Sequence, residues 1–184
     1  MYNQIERELK CLLTKEQYKS MINSYDFHIN IHQTNTYYDT KDNYMKSIKG
    51  AIRIRTIEDT YIFTLKIRTD DITLIELEKE IKDNSIQTAF ADEEIKGWLQ
   101  KYSIPMDVEK IISFSTNRKM ILLENAELCL DHTTFGNHSD YEIEYEYTKD
   151  HDGISEFNKI LVPFGLEYKK NCPSKLARAL NFMG

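Results

Sequence analysis

The sequence predicts an α+β domain: an antiparallel sheet or barrel with helices packed on its outer side. Three observations predict it. Many long stretches alternate apolar with polar residues at a period of two, which is the pattern of strands. Short polar breaks divide several of these stretches at hairpin spacing. Segments of helical pattern lie between and after them, where they can cover a sheet face.

Taken in order, residues 4–13 read as a strand and residues 15–24, "KEQYKSMINS", as a helix with Thr14 as its N-cap. Residues 28–40, rich in Ile, Thr and Tyr, read as a long strand, and a short helical turn follows at 41–47. Residues 50–57 and 60–68 form a hairpin that turns at "EDT", not at an Asn-Gly pair. The polar "TDD" precedes a strand at 72–82, and 85–102 reads as helix in two pieces. Strands fit 107–123, 126–134 and 139–149, with Glu124, Asn125 and "FGNHSD" supplying turns; helices at 152–162 and 174–182 follow. No linker or repeat divides the chain, so residues 1–184 are expected to form one domain.

A chain of 184 residues can bury a real core. Its formal net charge of -6 argues against non-specific binding to nucleic acid or to an anionic membrane. No apolar run reaches transmembrane length, and residues 1–10 carry charge throughout, unlike a signal peptide. Cys11, Cys129 and Cys172 form no CxxC pair, which speaks against a disulfide framework or a zinc site. A cytoplasmic protein with reduced thiols is expected. The sequence has no GxxxxGK[ST] and no HExxH, so neither a P-loop nor a zincin site is indicated.

The strands carry charge in an unusual way. "IERELK" places Glu6, Glu8 and Lys10 at a spacing of two, hence on one face. Arg53 and Arg55 repeat that spacing, as do Lys66 and Arg68, Glu76, Glu78 and Glu80, and Glu142, Glu144 and Glu146. Any one of these could be an ordinary solvated face. Together they are nearly pure in sign strand by strand, and such faces repel themselves unless complemented. A barrel with a charged interior complements them, and one of about eight strands has room for side chains or one small ligand. Arginine and lysine suit phosphate oxygens. Glutamates suit a divalent cation that bridges to them.

In this order and spacing the chain resembles the CYTH domains of the triphosphate tunnel metalloenzyme superfamily. "IERELK" fits that family's ExExK opening. "TYYDT" (36–40), "IRIR" (52–55), "TLK" (64–66), "ELE" (76–78), "NRK" (117–119), "LD" (130–131), "YEIE" (141–144) and "SKLARAL" (174–180) follow in the family's order. The resemblance covers essentially the whole chain and implies a closed tunnel of about eight antiparallel strands. It implies divalent-metal binding, Mg²⁺ or Mn²⁺, by Glu6, Glu8, Glu142 and Glu144. It implies triphosphate binding by Arg53, Arg55, Lys66, Arg118 and Lys175. Lys10 and Tyr37 match a pair that handles the attacking water, and Glu76, Glu78 and Asp131 match further tunnel acids. The acids run on to Glu80 and Glu146, so the choice within each run is open. Tyr37 is preferred to Tyr38 because it keeps phase with Asn35 and Asp39; a bulge would reverse that.

The activity expected is metal-dependent hydrolysis of a small-molecule triphosphate, with inorganic triphosphate preferred because the visible residues recognise phosphates and none reads a base or a thiazole. An adenylyl cyclase and a non-catalytic nucleotide or polyphosphate binder are the alternatives. Cys11 is expected to be buried on the face away from the acids, Trp98 to pack a helix on the barrel, and the tyrosines of "YEIEYEY" to point outward.

Overall fold

The computed structural model describes residues 5–183. Eight strands among them close into an antiparallel barrel in the order β1-β5-β4-β3-β2-β6-β7-β8. They are β1 (Ile5–Leu13), β2 (Ile29–Asp39), β3 (Gly50–Ile57), β4 (Thr60–Arg68), β5 (Thr73–Ile81), β6 (Glu109–Leu122), β7 (Ala126–Phe135) and β8 (His138–Tyr147). Each expected strand is present, 50–57 and 60–68 with the expected bounds and the others with ends moved by at most two residues; the expected start at Gln4 lies outside the described residues. The β3–β4 hairpin turns on Glu58 and Asp59, between paired Ile57 and Thr60. Glu58 takes a left-handed φ of 51°, the conformation a tight two-residue turn demands of residues other than glycine at some cost.

The helices are α1 (Lys15–Ser24), α2 (Tyr44–Ser47), α3 (Ile86–Ala91), α4 (Glu93–Lys101), α5 (Gly153–Leu161) and α6 (Lys175–Met183). A 3₁₀ turn at Val162–Phe164, which the sequence pattern did not reveal, follows α5. Thr14 caps α1 in a reciprocal capping box with Gln17. The helical stretch 85–102 divides at Asp92, whose carboxylate accepts from the amides of Glu94 and Ile95 and so starts α4. No helix among the described residues is long and apolar enough to cross a membrane.

The apolar core lies outside the barrel. Leu9, Leu128, Leu130, Ile143 and Tyr145 pack with Met21, Phe157 and Leu161 of α1 and α5. On the opposite side Ile52, Ile54, Phe63, Leu65 and Leu77 pack under α3 and α4. Trp98 belongs to this second layer and stacks on Phe63 at 6.5 Å between ring centroids. Full burial of each such aliphatic side chain contributes about 1.5–3 kcal/mol. A smaller cluster, Tyr37, Ile112, Phe114, Phe135 and Ala179, joins α6 to one end of the barrel. Cys11 faces the outer layer as expected, but it is half-buried at the margin of that layer.

Candidate functional site

With the outer faces taken up by helices, the alternate residues of every strand turn into the lumen. They line a cavity of about 500 Å³. From β1 come Glu6, Glu8 and Lys10; from β3, Arg53 and Arg55; from β4, Lys66; from β5, Glu76 and Glu78. Tyr37, Arg118, Glu144 and Lys175 also line it. The strand register does break by a bulge, between Tyr37 and Tyr38. It falls after Tyr37, which therefore keeps the phase of Gln33 and Asn35 and stacks on Phe114, while Tyr38 turns out into the core under α2. Of the open acid runs, Glu146 lines the cavity and Glu80 is exposed.

The charges sort into three groups. Near β4 and β5, the Lys66 ammonium lies 3.1 Å from Glu6 and 2.8 Å from Glu76. Arg53 reaches Glu78 at 3.2 Å and Glu76 at 3.5 Å and donates to Thr64 Oγ1 at 3.0 Å. On β1, Lys10 Nζ lies 2.5 Å from Glu8 Oε1, both side chains nearly closed to solvent. Burial pulls the Lys10 ammonium down, but Glu8, Glu142 and Glu144 outweigh it and hold Lys10 above the usual lysine range.

The third group is at the end closed by α6. Asp131, Glu142 and Glu144 bring ligating oxygens within 4.8 Å of one another, all buried. Asp131 and Glu142 pair directly across β7 and β8 and are fully shielded from solvent. The Lys175 ammonium, at the start of α6, contacts all three carboxylates, 2.8 Å from Asp131. Arg118 forks onto Asp131 through Nε at 2.8 Å and Nη2 at 2.6 Å and also meets Glu144. Burial opposes the Glu144 charge, but Lys175 and Arg118 prevail and hold its carboxyl well below the usual range. Arg178, one helical turn after Lys175, bridges Glu142 and Asp140, each at 2.7 Å. Its place in "SKLARAL", three residues from Lys175, is the signal by which it could have been found.

Two features of the lumen are left uncompensated. Arg55 makes no ion pair among the described residues; its Nε donates to Asn35 Oδ1 at 3.0 Å. Burial, with Arg53 and Arg118 nearby, lowers its guanidinium to about 10. Arg53 Nε is buried with no hydrogen-bond partner, a costly state that an acceptor in the lumen would relieve. On the acidic side, burial and then Glu6, against Lys66, push Glu146 up to about 8. Glu6 is likewise raised, by burial first, with Lys66 opposing and Glu8 and Glu144 adding to it.

This donor set fits a divalent cation. The carboxylates are hard oxygen ligands, and the crowding of Glu6, Glu8, Glu144 and Glu146 is the kind that a cation relieves. Asp131 and Glu142 are already matched by Lys175, Arg118 and Arg178, whereas Glu146, on the lumen side, makes no ion pair among the described residues.

Residues 4–179 match the CYTH domain family. YjbK of Bacillus subtilis (strain 168), provisionally assigned as a triphosphatase, is 32% identical over 178 residues, 92% of each chain. The crystal structure of a provisionally assigned adenylate cyclase from Bacillus halodurans is 31% identical and superposes with a TM-score of 0.82, covering 95% of this chain and 97% of its own. HpAC1 of Hippeastrum, an assigned adenylyl cyclase described as having a dominant triphosphatase activity, shares the fold at 22% identity and a TM-score of 0.75, covering 97% of this chain and 95% of its own.

Proposed function

As this chain belongs to the CYTH domain family, we propose that it is a divalent-metal-dependent hydrolase of triphosphate compounds, with inorganic triphosphate its preferred substrate and Mg²⁺ or Mn²⁺ its cofactor. The observation that carries the reading is the unmatched basic surface in the lumen, with the Arg55 guanidinium lacking a carboxylate and Arg53 Nε lacking any acceptor. A chain of phosphate oxygens supplies both. Lys66 and Arg118 extend that surface to either side.

In this reading Arg53, Arg55, Lys66 and Arg118 grip the phosphate chain and stabilise the charge that develops as the bridging P–O bond breaks. Glu6, Glu8 and Glu144 would hold the cation, with Glu142 and Asp131 behind them fixing Lys175 and Arg118. The cation, when bound, neutralises charge on the phosphate oxygens and lowers the pKa of water. Lys10 and Tyr37 orient the water that attacks the terminal phosphorus in line. With no cation bound, Glu8, Glu142 and Glu144 hold Lys10 as an ammonium, the form that donates to an oxygen. Glu76 and Glu78 keep Lys66 and Arg53 extended toward the substrate. Hydrolysis of inorganic triphosphate then yields orthophosphate and diphosphate.

The test is a panel of inorganic triphosphate, ATP and thiamine triphosphate with Mg²⁺, Mn²⁺ or chelator, read by phosphate release and by separation of cyclic AMP. Metal-dependent phosphate release, fastest with inorganic triphosphate, is expected. Cyclic AMP with free diphosphate would establish a cyclase. Tight triphosphate binding with no product under any metal would establish a binding module.

A further inference from the structure

The seam where the barrel closes between β1 and β5 is completed by a side chain. β1 pairs with β5 only from Ile5 to Arg7, opposite Ile75, Leu74 and Thr73. The last backbone bond on this edge runs from Glu8 N–H to Ile72 O at 2.9 Å. β5 starts at Thr73, so the Glu8 carbonyl and the Lys10 amide have no strand to meet. Both meet Asn171. Its Nδ2 donates to Glu8 O at 2.9 Å, and its Oδ1 accepts from Lys10 N–H at 2.8 Å. One carboxamide thus presents a donor and an acceptor to alternate residues of β1, as the N–H and C=O of a single residue in a parallel neighbouring strand would. The amide is itself held, with Tyr168 Oη donating to its Oδ1 at 3.1 Å and its Nδ2 also reaching Asp71 O at 3.3 Å. Tyr168 is anchored in the outer core. The adjacent Cys172 N–H extends the mimicry by donating to Lys10 O at 3.3 Å.

The two residues whose backbone is clamped are the two whose side chains meet in the lumen, Glu8 and Lys10. A strand edge left open there would let the backbone drift, and sub-ångström placement matters for both metal and water chemistry. We infer that Asn171 is a positioning residue that sets Glu8 and Lys10 in the tunnel. The inference rests on the proposed triphosphatase reading for its kinetic consequence, though not for its geometry.

The experiment compares wild type, Asn171→Ala and Tyr168→Phe, the last keeping the ring in the core and removing only the hydroxyl. In Asn171→Ala, kcat for inorganic triphosphate is expected to fall about ten-fold or more. Triphosphate affinity should stay within about two-fold, because the basic residues sit on other strands. The Lys10 amide should lose protection from hydrogen exchange. Tyr168→Phe should show the same split at smaller amplitude, and it carries the test if Asn171→Ala fails to fold. Unchanged kcat, or kcat and affinity falling together, overturns the inference. A wild-type protein without turnover counts against the proposed function instead. The positioning role is then judged by Lys10 exchange and by Mn²⁺ affinity, and it is overturned if neither changes.

Discussion

Arg55 and Asn35 face each other across β3 and β2, and the single bond between them, Nε to Oδ1 at 3.0 Å, is what the guanidinium holds in place of a carboxylate. Arg53, two residues away on the same strand, is tied to Glu76, Glu78 and Thr64. The two arginines should therefore behave differently when removed. Arg55→Ala is expected to weaken triphosphate binding at least ten-fold, about 1.4 kcal/mol or more, and to leave the melting temperature of the free protein unchanged or raised. Arg53→Ala should weaken binding and also lower that temperature, since it strands Glu78. Calorimetric titration beside thermal melts checks both.

Glu6 and Glu144 are not equivalent places to test the metal. Glu144→Gln leaves Lys175 and Arg118 short of a partner in a buried network. It should cost about 3 kcal/mol in stability as well as activity. Glu6→Gln removes one partner of Lys66, which keeps Glu76. It should abolish metal-dependent turnover with a much smaller change in denaturant midpoint. Normal activity of Glu6→Gln at limiting Mg²⁺ would remove Glu6 from the cation site.

Glu146 makes a pH dependence in chelator, with no metal present. Its folded value of about 8 lies above the ordinary 4.5. Below pH 4.5 both states hold the proton and nothing is lost. Between 4.5 and 8 the unfolded chain ionises while the folded carboxyl does not, so stability declines across that window and stays lowered above it. Glu146→Gln should melt at the same temperature as wild type near pH 4.5 and higher than wild type at pH 8. A gap that is constant with pH would show that Glu146 titrates normally.

Lys10 and Glu8 should fail together. Lys10→Met leaves Glu8 buried and unpaired, so it should lower stability and turnover while retaining much of the triphosphate affinity. Adding Glu8→Gln should recover stability and leave turnover lost. A double-mutant cycle on melting and on kcat separates the two effects; Lys10→Met with wild-type kcat would take the lysine out of the reaction.

Strand phase was legible because alternation at a period of two is local, and so the charged rows of β1, β3, β4, β5 and β8 could be read from residues two apart, whereas Arg118 and Asp131 came only through the family resemblance. Which charge matches which could not be read. Lys66 meets Glu6 across sixty positions of sequence, and barrel closure, not propensity, sets that pairing. The bulge after Tyr37 left no mark in the residue types. Glu146 was open at the sequence level because alternation puts Glu142, Glu144 and Glu146 on one face without ranking them. Asn171 was invisible for another reason. It lies in an irregular segment with no period, and its work is on backbone groups that every residue has.

Because the apolar layers sit between the barrel wall and its helices, the residues that keep the chain folded and the residues that face the ligand are largely different sets, on opposite sides of the same strands. Substitutions at lumen positions can therefore change which anion is gripped without touching the outer layers. One wall can host several chemistries in turn, provided that each exchange of charge inside is matched inside. The exceptions are the residues joined to α6, where Lys175 lines the cavity and, with Arg178, fastens the helix to the acids of the barrel. At that end, a change of specificity and a change of stability arrive together.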